Sequence, residues 1–349
     1  VRPELRVALV EASSFERPRI GETLAPGGRT LLQGLGAWNH VRPFALESFA
    51  TSAVWGSADR RDNEFLFSTR GNAWHVDRTA FDRALATCAE ERGVDVYLRT
   101  RFTGASHRPD GSWELSLTSA AEQFTREASV VVDATGRTAC FASRQGAGRV
   151  VDDRLTGLAV AFRAPSSTDP TTLVEAAEEG WWYSAAVPGD RIVAAWMSDA
   201  DLIRRDVLRD RERWTARLRE SPETCARLAA CARESGVAVW SARSQRLARI
   251  CGDRWLAVGD AASAFDPLSS AGILKALFTG KIGSFAVLDL LGGNPRGFER
   301  YRAHVEREYA DYLTTRAWFY DQEQRWPHSP FWARRRAIAT TPAVAPASG

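Results

Sequence analysis

Along the first half of the chain, short apolar runs alternate with helix-period segments, and glycine marks the joins. "VALVE" (7–11) has the unbroken apolar character of a buried strand and ends on Glu11. "GGRTLLQGLG" (27–36) predicts a short helix closed by glycine. Over 79–92, Phe81, Leu85 and Cys88 recur at helical spacing, and Gly93 supplies the stop. "VDVYL" (94–98) predicts another strand, and "SWELSLTS" (112–119) alternates as a half-buried strand does. "ASVVVDATG" (128–136) predicts a buried strand running into a glycine turn.

From residue 155 the pattern changes. "GLAVAFR" (157–163), "GWWYSAAVP" (180–188) and "DRIVAAWMS" (190–198) predict successive antiparallel strands, with "PGD" (188–190) turning between the last two. Charged helices are expected near 200–220 and 222–234. "DRWLAVGDAA" (253–262) returns to a buried strand, followed by helices over 271–291 and 296–322. The final "TTPAVAPASG" (340–349) has the composition of a disordered tail. The pattern is α/β, interrupted by a β-rich insertion and closed by helices, which suits a nucleotide-binding domain with a substrate domain inserted into it. The expected boundaries are 1–50, 70–154 and 245–292 for the discontinuous nucleotide-binding domain and 51–69 and 155–244 for the substrate domain. A C-terminal helical segment is expected over 293–338 and a disordered tail over 339–349.

Composition narrows the classes. The 349 residues suffice for two cores, and 44% hydrophobic with 26% charged residues is ordinary for a globular protein. No run reaches the roughly 18 apolar residues of a membrane span, and no signal peptide is visible, so we expect a cytoplasmic protein with no membrane partner. The net charge of +3, with both signs interspersed, carries no nucleic-acid footprint. The run Arg334, Arg335, Arg336 reads as solvated surface. The five cysteines, Cys88, Cys140, Cys225, Cys231 and Cys251, form no CxxC pair, which argues against a zinc site and for reduced thiols. Arginine is abundant, yet the only lysines are Lys275 and Lys281. The chain opens at Val1 almost directly into a strand, and its one methionine is Met197; we read it as trimmed or incomplete.

The strongest chemical signal is "WLAVGDAASAFDPLSSAGILKAL" (255–277). A buried strand ends in Gly259-Asp260, a loop with Pro267 follows, and a helix starts near Gly272. Asp260 can accept from a ribityl hydroxyl, and Gly259 permits close backbone approach. The helix start offers free N–H groups and partial positive charge, suited to the pyrimidine ring of a reduced flavin. Glu11, at a strand end, can accept from the ribose of an adenine dinucleotide; a solvated glutamate is the plainer reading.

These stretches resemble a known family. "VGDAASAFDPLSSAGI" is similar to the flavin-contacting segment of the FAD-dependent proteins that include aromatic hydroxylases, geranylgeranyl reductases and tryptophan halogenases. "VVDATGR" (131–137) resembles the family's strand ending beside the cofactor, here at Ala134 and Gly136. "RIGETLAPGGRTLLQGLG" (19–36) and "WHVDRTAFDRAL" (74–85) look like segments of the halogenase-like branch. In that branch the arginines matching Arg29 and Arg78 approach the cofactor. "FYDQEQRWPHSPFWARR" (319–335) is similar to the tails of flavoproteins that hydroxylate tryptophan during tryptophylquinone maturation. The resemblance implies an FAD-binding Rossmann-like domain, an inserted antiparallel β substrate domain and C-terminal helices. Its implied cofactor residues are Glu11, Arg29, Arg78, Ala134, Gly136, Gly259, Asp260, Pro267 and Gly272.

Two departures stand out. The family's GxGxxG turn has no counterpart upstream of Glu11, so the first strand and its phosphate-holding turn are expected to be missing, with weakened FAD affinity. The halogenase WxWxIP segment has its nearest match in "YSAAVP" (183–188), with Tyr183 and Ala185 in place of the tryptophans. Neither lysine lies in the early region that holds the halogenase lysine. The resemblance therefore implies a monooxygenase.

On the substrate side, Trp181 and Tyr183 share one face of their strand and Trp182 the other. An aromatic face suits an indole or phenol, and simple core packing is an equal reading. His75 is a candidate base or a structural histidine; Glu22 is a candidate for acid/base work or substrate orientation. Asp266 either orients the flavin loop or caps the following turn. We expect an FAD-dependent monooxygenase acting on an aromatic small molecule or a tryptophan-containing peptide or protein, with no metal. NAD(P)H or a separate flavin reductase would supply electrons. The alternatives are a flavin-dependent halogenase, an isoprenoid-chain reductase, and a non-catalytic peptide-binding protein that has lost FAD.

Overall fold

The first predicted strand forms over Ala8–Val10 and pairs in parallel with Asp95–Tyr97, placing Leu9 opposite Val96. It belongs to a computed structural model that describes residues 4–16, 19–65, 68–203 and 211–339. The expected tail at 340–349 lies outside these residues. The chain divides into two units, each assembled from three segments.

The first unit comprises 1–47, 66–152 and 244–307. Its second parallel pair joins Val131–Asp133 to Trp255–Ala257, with Val132 opposite Leu256. Among the described residues, Ala8–Val10 and Val131–Asp133 each have one strand neighbour. Between the two pairs in sequence runs an antiparallel meander of Arg101–His107, Trp113–Thr118 and Gln123–Ala128. The helix Arg78–Glu90 starts where Asp77 accepts from the amides of Thr79 and Ala80, which satisfies two of the first turn's donors. Its Phe81, Ala84 and Cys88 pack with Leu24, Leu32, Trp74 and Val76 in one core. A second core gathers Trp113, Phe141, Leu256, Val258, Ala286 and Tyr301. The Tyr301 hydroxyl donates to the Ala257 carbonyl at 2.7 Å and so joins the helix Arg296–Asp321 to the strand that leads into the candidate site.

The second unit comprises 48–65, 153–243 and 308–349. Its sheet runs in the order Ala232–Arg233, Leu155–Arg163, Arg191–Asp199, Gly180–Val187, Thr172–Ala177, Ala50–Val54, Arg61–Glu64, with Ala238–Ser241 also on Leu155–Arg163. The predicted hairpin of 180–187 and 191–199 is present, with Trp182 opposite Trp196. Its turn holds Gly189 and Asp190 at φ of 86° and 53°, the left-handed pair that matches strand twist.

The rest of the insertion departs from the expected succession of strands. Leu155–Arg163 pairs with Arg191–Asp199, not with Gly180–Val187. The strand Thr172–Ala177, hidden in sequence by Thr172 and Glu175, lies on the other side of the hairpin. It pairs in parallel with Ala50–Val54, so the sheet is mixed. The helix expected over 222–234 stops at Leu228, because Ala232–Arg233 pairs with the sheet edge. The basic run also differs from expectation. Arg335 is buried, and both Arg334 and Arg335 pair with the buried Asp199, at 2.9 Å each. A charge inside a fold needs such a partner.

Candidate functional site

The strand Trp255–Ala257 delivers the chain to a tight turn at Gly259–Ala261. Gly259 adopts φ +57°, and a Cβ there would sit 3.2 Å from the Ala276 Cβ, so the turn lies directly on the helix Gly272–Leu291. Its amide donates to the Thr279 hydroxyl at 2.9 Å. This seat holds Asp260 against two cations. Lys275 Nζ reaches Asp260 Oδ1 at 3.0 Å, and Arg137 Nε approaches Oδ2 at 3.6 Å. About a third of the Asp260 side chain remains exposed.

Arg137 connects this turn to the "VVDATGR" segment. Its guanidinium donates to the Phe265 carbonyl at 2.9 Å, and Gln245 donates to its carbonyl at 3.0 Å. The segment is shaped by Asp133, which accepts from the amide and hydroxyl of Thr135 and from the amide of Ala142. Ala134 is exposed, and Gly136 turns at φ 65°. Further on, Asp266 accepts from the Leu268 amide at 2.9 Å and caps the turn that begins at Pro267. No side chain caps the start of the helix Gly272–Leu291. A Cβ on Gly272 would meet nothing within 4 Å. The Ser263 hydroxyl is buried without a hydrogen-bond partner.

An open helix start, an orphaned buried hydroxyl, a part-exposed carboxylate and a close-packed glycine turn fit a flavin whose ribityl chain and pyrimidine ring carry hydroxyl and carbonyl groups. The residues that would hold it are Gly259, Asp260, Ser263, Pro267 and Gly272, with Ala134 and Gly136 on the adjoining segment.

A second cluster in the same unit collects Glu11 and Arg78. Glu11 accepts from the amide and hydroxyl of Ser13 and pairs with Arg19 at 3.2 Å. Arg19 reaches Asp82 at 2.8 Å, and Asp82 pairs with Arg78 at 3.2 Å. Burial alone would lower the Arg19 pKa; hydrogen bonding and charge attraction to Asp82, then to Glu11, hold it above its usual value. Arg78 also donates to the Gly21 carbonyl at 3.1 Å. Arg29 stands apart from this chain of charges, its guanidinium over the Trp38 ring at 5.5 Å.

His75 lies on the strand Ala73–Val76 opposite Thr23, Glu22 directly precedes the partner strand Thr23–Leu24, and both are buried. The Val76 amide donates to the Glu22 carbonyl, so Glu22 faces Val76, one position along from His75. Trp181 and Tyr183 belong to the second unit and are buried there. The Trp181 indole N–H donates to the Tyr320 hydroxyl at 3.0 Å, and its ring meets Trp55 edge-on. Trp181 thus packs inside its unit with no exposed surface. Sequence reasoning gave no role at the cofactor to Arg137, Lys275, Asp133 or Ser263. The signal for Arg137 was its place directly after Ala-Thr-Gly, and for Lys275 its rarity in an arginine-rich chain.

Among the described residues, no set of histidine, cysteine and carboxylate side chains is grouped to hold a metal ion. No described helix is long and apolar enough to cross a membrane.

Comparison with known proteins bears on this geometry. The tryptophan halogenase family model matches residues 39–346. LodB of Marinomonas mediterranea, described as an FAD-dependent oxidoreductase, is 30% identical over 345 residues, covering 96% of this chain and 91% of LodB. The solved flavin-dependent halogenase CmlS matches at TM-score 0.82 with 23% identity, covering 96% of this chain and 64% of CmlS. The peptidyl tryptophan dihydroxylase QhpG, described as essential for tryptophylquinone cofactor biogenesis, matches at TM-score 0.75 with 22% identity, covering 96% of this chain and 73% of QhpG. The fold is therefore that of flavin-dependent halogenases, with helices and sheets in the arrangement expected of an FAD-binding α/β protein. With the family model matching most of its length and with this cofactor-shaped turn, the chain belongs to the tryptophan halogenase family of flavin-dependent enzymes and is an FAD-dependent oxidoreductase.

Proposed function

We propose that this enzyme hydroxylates an aromatic ring, and that the ring is a tryptophan side chain held in a peptide or protein. The observation that carries the reading is the state of the two lysines. Both lie on the helix Gly272–Leu291, and Lys275 is held by the Asp260 carboxylate and the Ser263 carbonyl. A halogenase needs a lysine at its oxidant, and residues 1–349 offer none in the early region where that lysine stands in the family. The fold match to a peptidyl tryptophan dihydroxylase supports the same direction.

FAD, when bound, supplies the activation of oxygen; the protein supplies placement. Asp260 and the Gly259 turn would hold the ribityl chain, the Gly272 helix start would stabilise negative charge on the flavin ring, and Glu11 would take the ribose. We assign proton acceptance from the hydroxylated ring to the His75 imidazole and substrate orientation to Glu22. Electrons come from NAD(P)H through a separate flavin reductase. Trp181 supports the substrate domain by packing, and Tyr183 is its candidate for substrate contact.

Halogenation is the second reading, favoured by the family model and by the fold match to CmlS. One experiment separates the two. The purified protein is incubated with FAD, a flavin reductase, NADH, chloride or bromide, and a tryptophan-containing peptide, and the product is weighed. A gain of oxygen is expected. A chlorine or bromine isotope pattern would establish halogenation instead.

A further inference from the structure

Lysine is the rarest basic residue in this chain: two lysines stand among 46 basic residues. Lys281 is exposed on its helix, whereas Lys275 is buried at 3% relative exposure. An ammonium removed from water carries a desolvation penalty that only close polar partners offset. Lys275 has such partners. Its Nζ donates to Asp260 Oδ1 at 3.0 Å and to the Ser263 carbonyl, and it lies over the Phe265 ring at 4.2 Å from the centroid. An ammonium is a compact point charge with three donors, while a guanidinium is a broad plane. The space between a carbonyl, a carboxylate and an aromatic face takes the former.

One carboxylate, Asp260, is shared by two cations, Lys275 and Arg137. Lys275 takes Oδ1 and Arg137 approaches Oδ2, so the Asp260 carboxylate is held through both oxygens. Lys275 thus places a buried positive charge beside an uncapped helix start.

We propose that Lys275 is a positioning residue for the cofactor: it fixes the Asp260 carboxylate in the orientation that accepts the flavin's ribityl hydroxyl and adds a positive charge that favours the reduced flavin. This rests on the FAD reading of the site. It acts through Asp260 and touches no substrate.

The test is a double-mutant cycle read by FAD titration, with flavin fluorescence as the signal, on the parent protein, K275M, D260N and K275M/D260N. If Lys275 works through Asp260, each single variant raises the FAD Kd by about tenfold, and the double variant is no worse than the poorer single. The flavin midpoint potential of K275M also falls below that of the parent, which loss of packing alone would not produce. K275R, with its broader head group, restores the charge but not the full affinity. Circular dichroism of the apoproteins establishes folding; the double variant removes the ion pair whole, leaves no buried ammonium unpaired, and serves where a single variant unfolds. Its FAD Kd then lies about tenfold above the parent's while its midpoint potential stays near the parent's, because one positive and one negative charge are removed together and Arg137 remains; a parent-like Kd would overturn the proposal. Parent-like affinity and potential in K275M, or single effects that multiply in the double variant, would overturn the Lys275 assignment while leaving FAD binding intact. A parent protein that takes up no FAD would instead remove the cofactor reading, and this proposal with it.

Discussion

Single residues in this protein are constrained by space and by charge in ways that separate experiments resolve. Gly259 is constrained by space. Its φ of +57° lies in the left-handed region, and the Ala276 Cβ stands 3.2 Å from where its own Cβ would be. An L side chain held left-handed costs roughly 1–2 kcal/mol. Gly259→Ala is therefore expected to lower stability by about that amount in denaturant unfolding and to displace Asp260. An unchanged unfolding midpoint would show that the turn tolerates a side chain. Cys251 is constrained by its surroundings. Burial, eased only in part by the Arg302 charge, pushes its thiol up to about 12. The thiolate is the reactive form, so Cys251 should resist alkylation by iodoacetamide at neutral pH while the protein is folded and react once it is unfolded. Labelling of Cys251 at the folded rate of an exposed thiol would contradict this.

At the scale of elements, local sequence and tertiary pairing contribute unequally. The helix Arg78–Glu90 is a local product: Asp77 caps it, Phe81, Ala84 and Cys88 form its inner face, and Gly93 follows at φ 84°. Replacing Asp77 by alanine removes an acceptor from two amides and should cost about 1 kcal/mol, while Asp77→Ser should recover most of it. Equal losses in both variants, followed by thermal unfolding, would place the role of Asp77 outside the cap. Such elements were legible in sequence, as were the hairpin of 180–187 and 191–199 and the long helices. The strand Thr172–Ala177 was not, because its burial on both faces gives no alternation and Glu175 interrupts the apolar run. That carboxylate is buried because it accepts from the Thr224 amide and hydroxyl on the facing helix, a partner 49 residues away. The cofactor segment was legible because its glycine, aspartate and proline sit close in sequence. The cations on Asp260 were not: Lys275 follows by 15 residues, Arg137 precedes by far more, and only folding brings them together.

At the scale of the whole molecule, each unit is sewn from distant segments, and in the second unit the sewing is ionic as well as apolar. Arg316 pairs with Asp153 at 2.6 Å with both side chains buried, and Arg335 pairs with Asp199 in the same condition. The tightest joint is Glu323. Its side chain is fully buried, accepts from the Gly56 amide at 2.8 Å and pairs with Arg325 at 2.6 Å, while Arg325 reaches the Val54 carbonyl at 3.4 Å. One carboxylate thus ties the end of the strand Ala50–Val54 to the chain leaving the helix Arg296–Asp321. Burial by itself would raise the Glu323 pKa; hydrogen bonds from Arg325 and from the Gly56 amide, with the Arg325 charge, outweigh it and leave the carboxyl below its usual value. A carboxyl depressed in the fold binds its proton more readily when unfolded, so its stabilisation is fully present above the ordinary glutamate pKa and is lost as pH falls through the depressed folded value. Glu323→Gln keeps the shape and removes the charge, at an expected cost of about 1–3 kcal/mol near neutral pH. The stability gap between the parent and E323Q should therefore be constant from neutral pH down to the ordinary glutamate range and close below it. Urea unfolding of both proteins across that range measures the gap directly. A gap that persists unchanged into acid would mean that Glu323 holds the joint by shape and not by charge.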